Sequence, residues 1–390
     1  MITVEEALQH LFSLVTPLDA ETVPLAQAHG RVLAADVSTD LTQPPFPASA
    51  MDGYGVRASE IAVGAKFRII GESAAGHGFD GTVGPGEAVR IFTGAPVPEG
   101  VDFVVIQEDT DRFVNTLTIE RDPGTNANIR PAGNDFGAGY TMTAPRLLTP
   151  NDIALLAAMN IPVVQVARKP DIAVISTGDE LVMPGDTPGP GQIIVSNTFG
   201  LKALLDSAGA HTRILPIAKD DPASIETVFS LAEGADLVVT IGGASVGDYD
   251  IVGTVAQQLG MQQSFYKVKI RPGKPLMAGR MGEALMVGLP GNPVSAMVCG
   301  HVFLLPMIRA MQGFAPAARD RLTAPLAADI PANGPREHYM RGRVDGGKVT
   351  VFDRQDSSLL SVLAEANALI VRPADDGPRA AGESVDYLPI

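Results

Sequence analysis

The chain has 390 residues, of which 45% are hydrophobic and 19% charged, and its formal net charge at pH 7 is −15. This length predicts two to four domains, and the acidic charge argues against a surface that binds nucleic acid or an anionic membrane. Aromatic residues, at 5% without Trp, are too few for base-stacking platforms, and the single Cys299 excludes internal disulfide bonds and multi-cysteine zinc sites.

The N-terminal segment is acidic where a secretory signal peptide is basic and then apolar. No uninterrupted apolar run approaches about 18 residues, so we expect no membrane-spanning segment. Together with the lone cysteine, these features predict a cytoplasmic protein.

The first part of the chain carries helical patterns that are interrupted by a β-like region. Thr3 and Glu6 have capping-box spacing, and Thr149 precedes Pro150 as a helix cap. The predicted helices occupy residues 3–15, 26–33 and 149–159. We expect the parts on either side of the β-like region to pack together as one discontinuous helical and linking domain, made of residues 1–42 and 139–170.

Residues 43–138 follow a proline-rich boundary and alternate short β-like runs with Gly/Pro turns. The predicted strands are 66–70, 88–91, 103–107 and 116–119. This region therefore reads as a small, mostly antiparallel β domain.

From residue 171 onward, strands alternate with helices, which predicts a doubly wound, mostly parallel α/β domain over 171–315. We expect strands at 172–176, 212–217, 237–241, 265–270 and 284–288, and helices at 196–208, 221–233, 254–259 and 292–311, the last bent at Pro306. Short β-like runs return at 339–344, 348–351 and 368–372. The fold class is thus α/β plus β: a central α/β domain, an inserted small β domain, and a C-terminal β domain over 316–390.

Four loops of the α/β domain, at 176–180, 242–250, 271–275 and 288–293, lie at predicted strand ends or helix starts. A doubly wound sheet brings such loops to one edge, where these folds bind ligands. Glycines there let backbone N–H groups approach an anion, and Arg271 and Lys274 add positive charge. Nearby acids suit a divalent cation that bridges phosphates: Asp179, Glu180, Asp248 and Asp250. The simpler alternative is a set of tight turns with solvated charges.

Two other interpretations remain open at this point. Residues 243–247 match G-x-S-x-G, which favours a serine hydrolase with Ser245 as nucleophile and His301 or His338 downstream. The additional preceding glycine and the two following acids suit a metal–phosphate site better. Asp52 and Asp135, in the small β domain, fit turn positions when read alone.

Seven stretches carry a resemblance to a known family: PPFPASAMDGYGVR, FTGAPVPEGVDFVVIQED, NIRPAGNDFGAG, AVISTGDEL, GGASVGDYD, RPGKPLMAG and GLPGNPVSA. In their order and over nearly the whole chain, they resemble the molybdopterin molybdenumtransferase family, which includes bacterial MoeA and the gephyrin E domain. Gephyrin is also a scaffold, so a non-enzymatic assembly role is a further alternative, although no linker or fused domain is present in these residues.

The resemblance implies an elongated homodimer of four-domain subunits, with the site between the α/β domain of one subunit and the small β domain of the other. It implies insertion of molybdenum from molybdate into adenylylated molybdopterin, assisted by Mg²⁺, with release of AMP. The implied partners are the upstream molybdopterin adenylyltransferase and the downstream molybdoenzymes or their chaperones.

The resemblance and the strand-end loops together assign roles to individual residues; Thr177, Gly242, Gly243 and Asp248 come from the loops. The catalytic set is Asp52, Asp135, Glu180 and Lys274. The substrate-binding set is Thr177, Gly242, Gly243, Ser245, Arg271, Lys274, Pro275, Arg341 and Ser357. The metal-binding set is Asp220, Asp221, Asp248 and Asp250. Two departures stand out: Arg271 replaces the usual Lys, which keeps the charge with a planar donor fork, and Pro47-Ala48-Ser49 replaces the common Asp-Asn-Ser.

Overall fold

The computed structural model describes residues 1–243 and 251–390. Within these ranges, eight α-helices are present: α1 (Val4–Leu14), α2 (Pro150–Ala158), α3 (Asn197–Ser207), α4 (Pro222–Leu231), α5 (Ile251–Gln258), α6 (Pro293–Cys299), α7 (Leu305–Met311) and α8 (Leu360–Glu365). The predicted capping boxes are formed, since Thr3 accepts from Glu6 N and Thr149 from Asp152 N.

A six-stranded sheet forms the centre of the protein. Its order is His211–Ile214, Asp171–Ser176, Leu237–Ile241, Ala284–Leu289, Met277–Met281 and Gln262–Tyr266. The first four strands are parallel and the last two antiparallel. The mostly parallel sheet was predicted. The strand Met277–Met281 was missed, and the single strand expected at 265–270 is two separate strands.

Helices cover both faces of this sheet, as a doubly wound fold requires. Side chains of α1, α3, α6 and α7 share one hydrophobic core with the sheet, and those of α4 and α5 share the other. All five residues of Leu237–Ile241 are buried, which agrees with a strand covered on both sides. Helix α1 therefore packs on the central sheet.

The segments on either side of the small β domain meet in a four-stranded sheet of Ala20–Pro24, Val163–Ala167, Val32–Leu33 and Arg146–Leu147. The helix predicted at 26–33 is wrong. The chain makes only a 3₁₀ turn at Leu25–Gln27, and Val32–Leu33 then pairs with neighbouring strands. Long-range pairing has overridden a local helical preference.

The small β domain contains a second six-stranded sheet, in the order Phe103–Ile106, Gly53–Val56, Glu87–Ile91, Lys66–Ser73, Thr116–Ile119 and Thr110–Phe113. Four of its five pairings are antiparallel. Three two-stranded sheets are also present in the described residues: Ala48–Ser49 with Ile129–Arg130, Val37–Ser38 with Thr141–Met142, and Leu181–Val182 with Ile193–Ile194.

The C-terminal sheet includes one strand from the α/β part of the chain. Its order is Ile270–Arg271, Glu337–Asp345, Ala368–Arg372, Ser384–Pro389 and Leu322–Pro325, with Lys348–Val351 also paired to Glu337–Asp345. The loop that follows Arg271 is consequently held between the two domains. The boundaries given above for the four domains stay a prediction.

The apolar segment Pro293–Met311 is α6, a π-helical turn (Gly300–Leu304) and α7 in succession. Pro306 lacks an N–H and crowds the preceding turn, which explains the irregularity there. By length and composition this 19-residue segment could cross a membrane, although Ser295, His301 and Arg309 interrupt its apolar run. Its most apolar 18-residue window has a mean hydropathy of 1.6. Because 83% of it is buried inside the protein, its apolarity is that of a core helix.

Candidate functional site

A cleft of about 780 Å³ opens at the carboxyl ends of the parallel strands. Its lining comes from the strand-end loops, from the start of α3 and from the C-terminal domain: Ser176, Thr177, Gly178, Glu180, Leu181, Ile193, Ile194, Val195, Ser196, Asn197, Asp220, Ile241, Gly242, Gly243, Ile251, Pro275, Pro290, Gly291, Asn292, Pro293, Ser358 and Leu360. The predicted site residues that meet here are Thr177, Glu180, Asp220, Gly242, Gly243 and Pro275.

Glycine is required where the central strand ends. Gly242 has a φ of +93°, and a Cβ there would lie 2.7 Å from the carbonyl oxygen of Thr177. A Cβ on Gly291 would lie 3.6 Å from Gly242 Cα. Two strand-end loops therefore approach one another backbone to backbone. The N–H groups of Thr177 and Gly242 donate to the carbonyl oxygens of Ile241 and Leu289, at 3.0 and 3.2 Å.

Asn197, at the start of α3, is a cleft residue that the sequence analysis missed. Its Nδ2 donates to the carbonyl oxygen of Gly291 at 2.7 Å, and its Oδ1 accepts from Ser196 Oγ at 3.2 Å. The only sequence signal was an Asn at the start of a predicted helix. Its partner lies 94 residues away, and no local pattern reveals that contact.

Acidic side chains occupy one side of the cleft. Glu180 and Asp220 line it, and Asp220 N donates to Asp179 Oδ1 at 3.3 Å. Partial burial, together with the charges of Asp179 and Glu180, raises the pKa of Asp220. Across residues 1–243 and 251–390, no three His, Cys, Asp or Glu side chains are grouped to hold a metal.

Asp221, also predicted as a metal ligand, is used as a helix cap. Its carboxylate accepts from Ser224 N at 2.9 Å, and Pro222 takes the first position of α4. The cap satisfies an otherwise unpaired N–H of the first turn. Of the two neighbouring aspartates, Asp220 is therefore the one that reaches the cleft.

The predicted cations lie where the α/β and C-terminal domains meet. Arg271 and Lys274 are exposed and do not line the cleft, although Pro275 does. Arg271 is paired with His338 in adjacent parallel strands. The short strand thus fixes one predicted cation against the C-terminal sheet.

Arg341 is fully buried in the C-terminal domain beside this junction. Its Nη2 donates to the carbonyl oxygen of Asp356 at 2.9 Å, whereas Nε and Nη1 have no hydrogen-bond partner among the described residues. Burial is the main cause that lowers its pKa to about 10, and the charge of Arg271 adds to it. Unpaired buried donors on a cation are costly, and an anion would satisfy them.

Ser357 borders the same region through its backbone. Its carbonyl oxygen accepts from Val294 N at 3.0 Å, which joins the C-terminal domain to the start of α6. The neighbouring Ser358, which was not predicted, lines the cleft.

Asp52 and Asp135 lie in the first part of the chain and do not line this cleft. Asp52 Oδ1 accepts from both N and Oγ1 of Thr93, each at 2.7 Å, and these hydrogen bonds lower its pKa. Asp135 is exposed, and its N–H donates to Gln43 O at 3.0 Å. Within one chain, the two predicted catalytic aspartates are thus separate from the other site residues.

The hydrolase alternative gains nothing from the structure. Ser245, Asp248 and Asp250 lie outside the described residues. Neither histidine proposed as a base lines the described cleft. His301 Nδ1 lies 3.1 Å from Arg319 Nη1, and His338 Nε2 is buried with no hydrogen-bond partner in the described part of the chain. Burial lowers the pKa of His301 to about 4 and that of His338 to about 3.

Three protein-family profiles match the chain in succession. They are the MoeA N-terminal region (domain I and II) at 2–160, the probable molybdopterin binding domain at 173–310, and the MoeA C-terminal region (domain IV) at 323–390. The chain belongs to the MoeA family. The resemblance inferred from the seven sequence stretches is thereby confirmed.

Relatives and solved structures agree with this MoeA assignment. The molybdopterin molybdenumtransferase of Haemophilus influenzae is 35% identical, with 100% of this chain and 98% of that protein covered. The protein of the same name from Nostoc sp. is 36% identical, with 100% and 94% covered. A crystal structure of the Pyrococcus horikoshii MoeA protein has a TM-score of 0.85 at 27% identity and covers 100% of both chains.

A second MoeA crystal structure from Pyrococcus horikoshii has a TM-score of 0.81 at 28% identity and covers 99% of this chain and 98% of that one. These structures share the multidomain α/β-plus-β fold expected from the sequence. The curated relatives are transferases by name. A serine hydrolase therefore finds no support in any of these comparisons.

Proposed function

We propose that this chain transfers molybdenum from molybdate to adenylylated molybdopterin, with release of AMP and formation of molybdenum cofactor. The observation that carries this proposal is the buried guanidinium of Arg341, in which two nitrogens have no hydrogen-bond partner within residues 1–243 and 251–390. A tetrahedral oxyanion beside it would accept from these donors and offset the buried charge. Arg271 and Lys274 add positive charge, and Ser357 and Ser245 supply hydroxyl groups to the same predicted pocket.

The cleft is the site proposed for the nucleotide–phosphate part of the substrate. Thr177, Gly242 and Gly243 line it at the carboxyl ends of the parallel strands, which is where open α/β sheets bind their ligands. Pro275 joins this cleft to the loop that carries Lys274. Phosphate and molybdate would thus be bound by neighbouring loops, which the transfer of molybdenum to the pterin dithiolene requires.

A divalent cation fits the acidic side of the cleft. Mg²⁺ takes oxygen ligands and uses one or two carboxylates together with substrate phosphates, so a complete protein cage is not needed. The raised pKa of Asp220 reflects neighbouring negative charge that a cation would relieve. Asp220 and Glu180 would hold the ion, with Asp248 and Asp250 as proposed additions. The ion would neutralise charge on the departing phosphate. Asp221, as a helix cap, is the weakest of the predicted ligands.

We further propose that a homodimer completes the site. Asp52 and Asp135 lie away from the cleft of their own chain, so they act in this reaction only if the small β domain of a second subunit brings them to it. The proposed location is the cytoplasm. The proposed partners are the enzyme that adenylylates molybdopterin and the molybdoenzymes, or their chaperones, that receive the product.

The test is incubation of purified protein with adenylylated molybdopterin, molybdate and Mg²⁺. We expect AMP and a cofactor that activates an apo-molybdoenzyme. A fluorophosphonate reagent serves as the control for the hydrolase alternative and should leave Ser245 unlabelled. Absence of both AMP and active cofactor would overturn the proposal.

A further inference from the structure

Ile193 and Ile194 present exposed apolar surface at the cleft. Their exposed fractions are 57% and 39%, and both line the cleft. They lie in the same lining as glycines and the carboxylates of Glu180 and Asp220.

Backbone pairing fixes these two side chains in place. Ile193–Ile194 pairs in parallel with Leu181–Val182. Ile193 N donates to Glu180 O at 2.8 Å, and Val195 N donates to Val182 O at 2.9 Å. The isoleucines are therefore anchored through the same segment that carries Glu180, rather than lying on an unpaired loop.

The cleft thus combines two kinds of surface. The strand-end loops contribute Thr177, Gly242 and Gly291, whereas Ile193 and Ile194 contribute aliphatic surface. Ligand sites generally join a few polar groups to an apolar wall that covers the ring system of the ligand.

We propose that Ile193 and Ile194 form the contact surface for a flat heterocyclic ring that is linked to phosphate. This assignment rests on the proposed function and adds the residues that select the ring. Adenine and pterin are both rings of this class in the proposed substrate. The ring packs on the cleft side of this strand, and its phosphate reaches the strand-end loops.

The test compares Ile193→Ser and Ile194→Ser with Met183→Ser. Met183 is a matched control because it directly follows Leu181–Val182, the strand paired with the two isoleucines. It is 39% exposed and does not line the cleft. Calorimetry measures the Kd of each protein for AMP, for a pterin phosphate and for inorganic pyrophosphate. Loss of one buried isoleucine contact should raise the Kd of the ring-bearing ligands about tenfold and leave the Kd of pyrophosphate unchanged.

The three ligands also separate the two rings. A higher Kd for AMP alone assigns the surface to adenine, and a higher Kd for the pterin phosphate alone assigns it to the pterin. Unchanged binding of both, equal weakening of pyrophosphate, or an equal effect of Met183→Ser would overturn the proposal. So would a change of oligomeric state, in sedimentation velocity, with no change in ligand binding.

The outcome is distinguishable from failure of the proposed function. If the wild-type protein binds AMP or the pterin phosphate with the expected isoleucine dependence but inserts no molybdenum, the ring surface stands and the transferase proposal fails. If insertion proceeds and the isoleucine variants bind both ring-bearing ligands normally, only the ring surface is wrong.

Discussion

The Asn197 Nδ2 group donates a hydrogen bond to the carbonyl oxygen of Gly291 at 2.7 Å, across 94 residues of sequence. This bond ties the start of α3 to the loop in which Gly291 lies against Gly242. The glycine-lined part of the cleft therefore depends on a side-chain amide as well as on backbone turns.

Asn197→Asp should weaken AMP binding by about tenfold, because a carboxylate cannot donate to Gly291 and would repel its carbonyl oxygen. Calorimetric titration with AMP measures the change. Ser196→Ala is the control, since it removes only the hydrogen bond from Ser196 Oγ to Asn197 and should change the Kd less than about twofold. An unchanged Kd in Asn197→Asp would contradict a positioning role.

Arg341→Met should raise the half-saturating molybdate concentration at least about tenfold, because charge-assisted donors to the oxyanion are lost. Its free energy of unfolding should be unchanged or higher, since a buried and incompletely paired charge is removed. Molybdate titration and urea denaturation measure the two effects.

Arg372 provides the matched contrast to Arg341. It is 2% exposed and fully engaged, since Nε donates to Asp376 at 2.6 Å and the Nη groups donate to the carbonyl oxygens of Pro331 and Gly377. Arg372→Met should cost about 3 kcal/mol of unfolding free energy. Equal destabilisation by the two substitutions would make Arg341 a structural residue.

Asp52→Ala should reduce turnover about 100-fold and change the melting temperature little. Thr93→Val is the control. It removes one of the two donors to Asp52 and should retain activity, because the backbone N–H of residue 93 still donates. A large fall in melting temperature without a specific loss of turnover would give Asp52 a structural role only.

Mixing two inactive variants tests whether the site spans two subunits. Asp52→Ala and Lys274→Ala, refolded together, should recover about a quarter of wild-type activity, because half of the dimers are mixed and each has one intact site. If both residues act within the same chain, no activity returns.

Asp220→Asn should raise the melting temperature of the metal-free protein near neutral pH. The folded protein raises the pKa of Asp220 above its usual 3.8. The free energy of unfolding therefore falls as the pH rises from 3.8 to the pKa of the folded state, and it stays lower at higher pH. The difference between variant and wild type should therefore disappear below about pH 3.8. Mg²⁺ should stabilise the wild type more than the variant, and this difference should shrink at acidic pH.

Strong local patterns predicted much of the fold. The strand Leu237–Ile241 is wholly apolar or β-branched and was placed at its observed bounds, and Asp221-Pro222 marked the start of α4. The helix predicted at residues 26–33 does not form, because the pairing of Val32–Leu33 with distant strands outweighs the local helical pattern.

Only part of the candidate site follows from such patterns. The strand-end glycines and Glu180 were predictable, since parallel strands carry their end loops to a common edge, whereas Asp220 came from the likeness to a family. The Asn197–Gly291 contact and the burial of Arg341 depend on packing between distant segments. The likeness to a family supplied Arg341, Asp52 and Asp135, none of which has a distinguishing local pattern.

The most direct test of the account follows AMP and molybdenum together in one reaction. Purified protein, adenylylated molybdopterin and Mg²⁺ are mixed, molybdate is added, and released AMP and pterin-bound molybdenum are quantified over time. The account predicts equal amounts of both, appearing only with molybdate and strongly reduced in Arg341→Met. AMP release at the same rate with and without molybdate, with no molybdenum on the pterin, would contradict it.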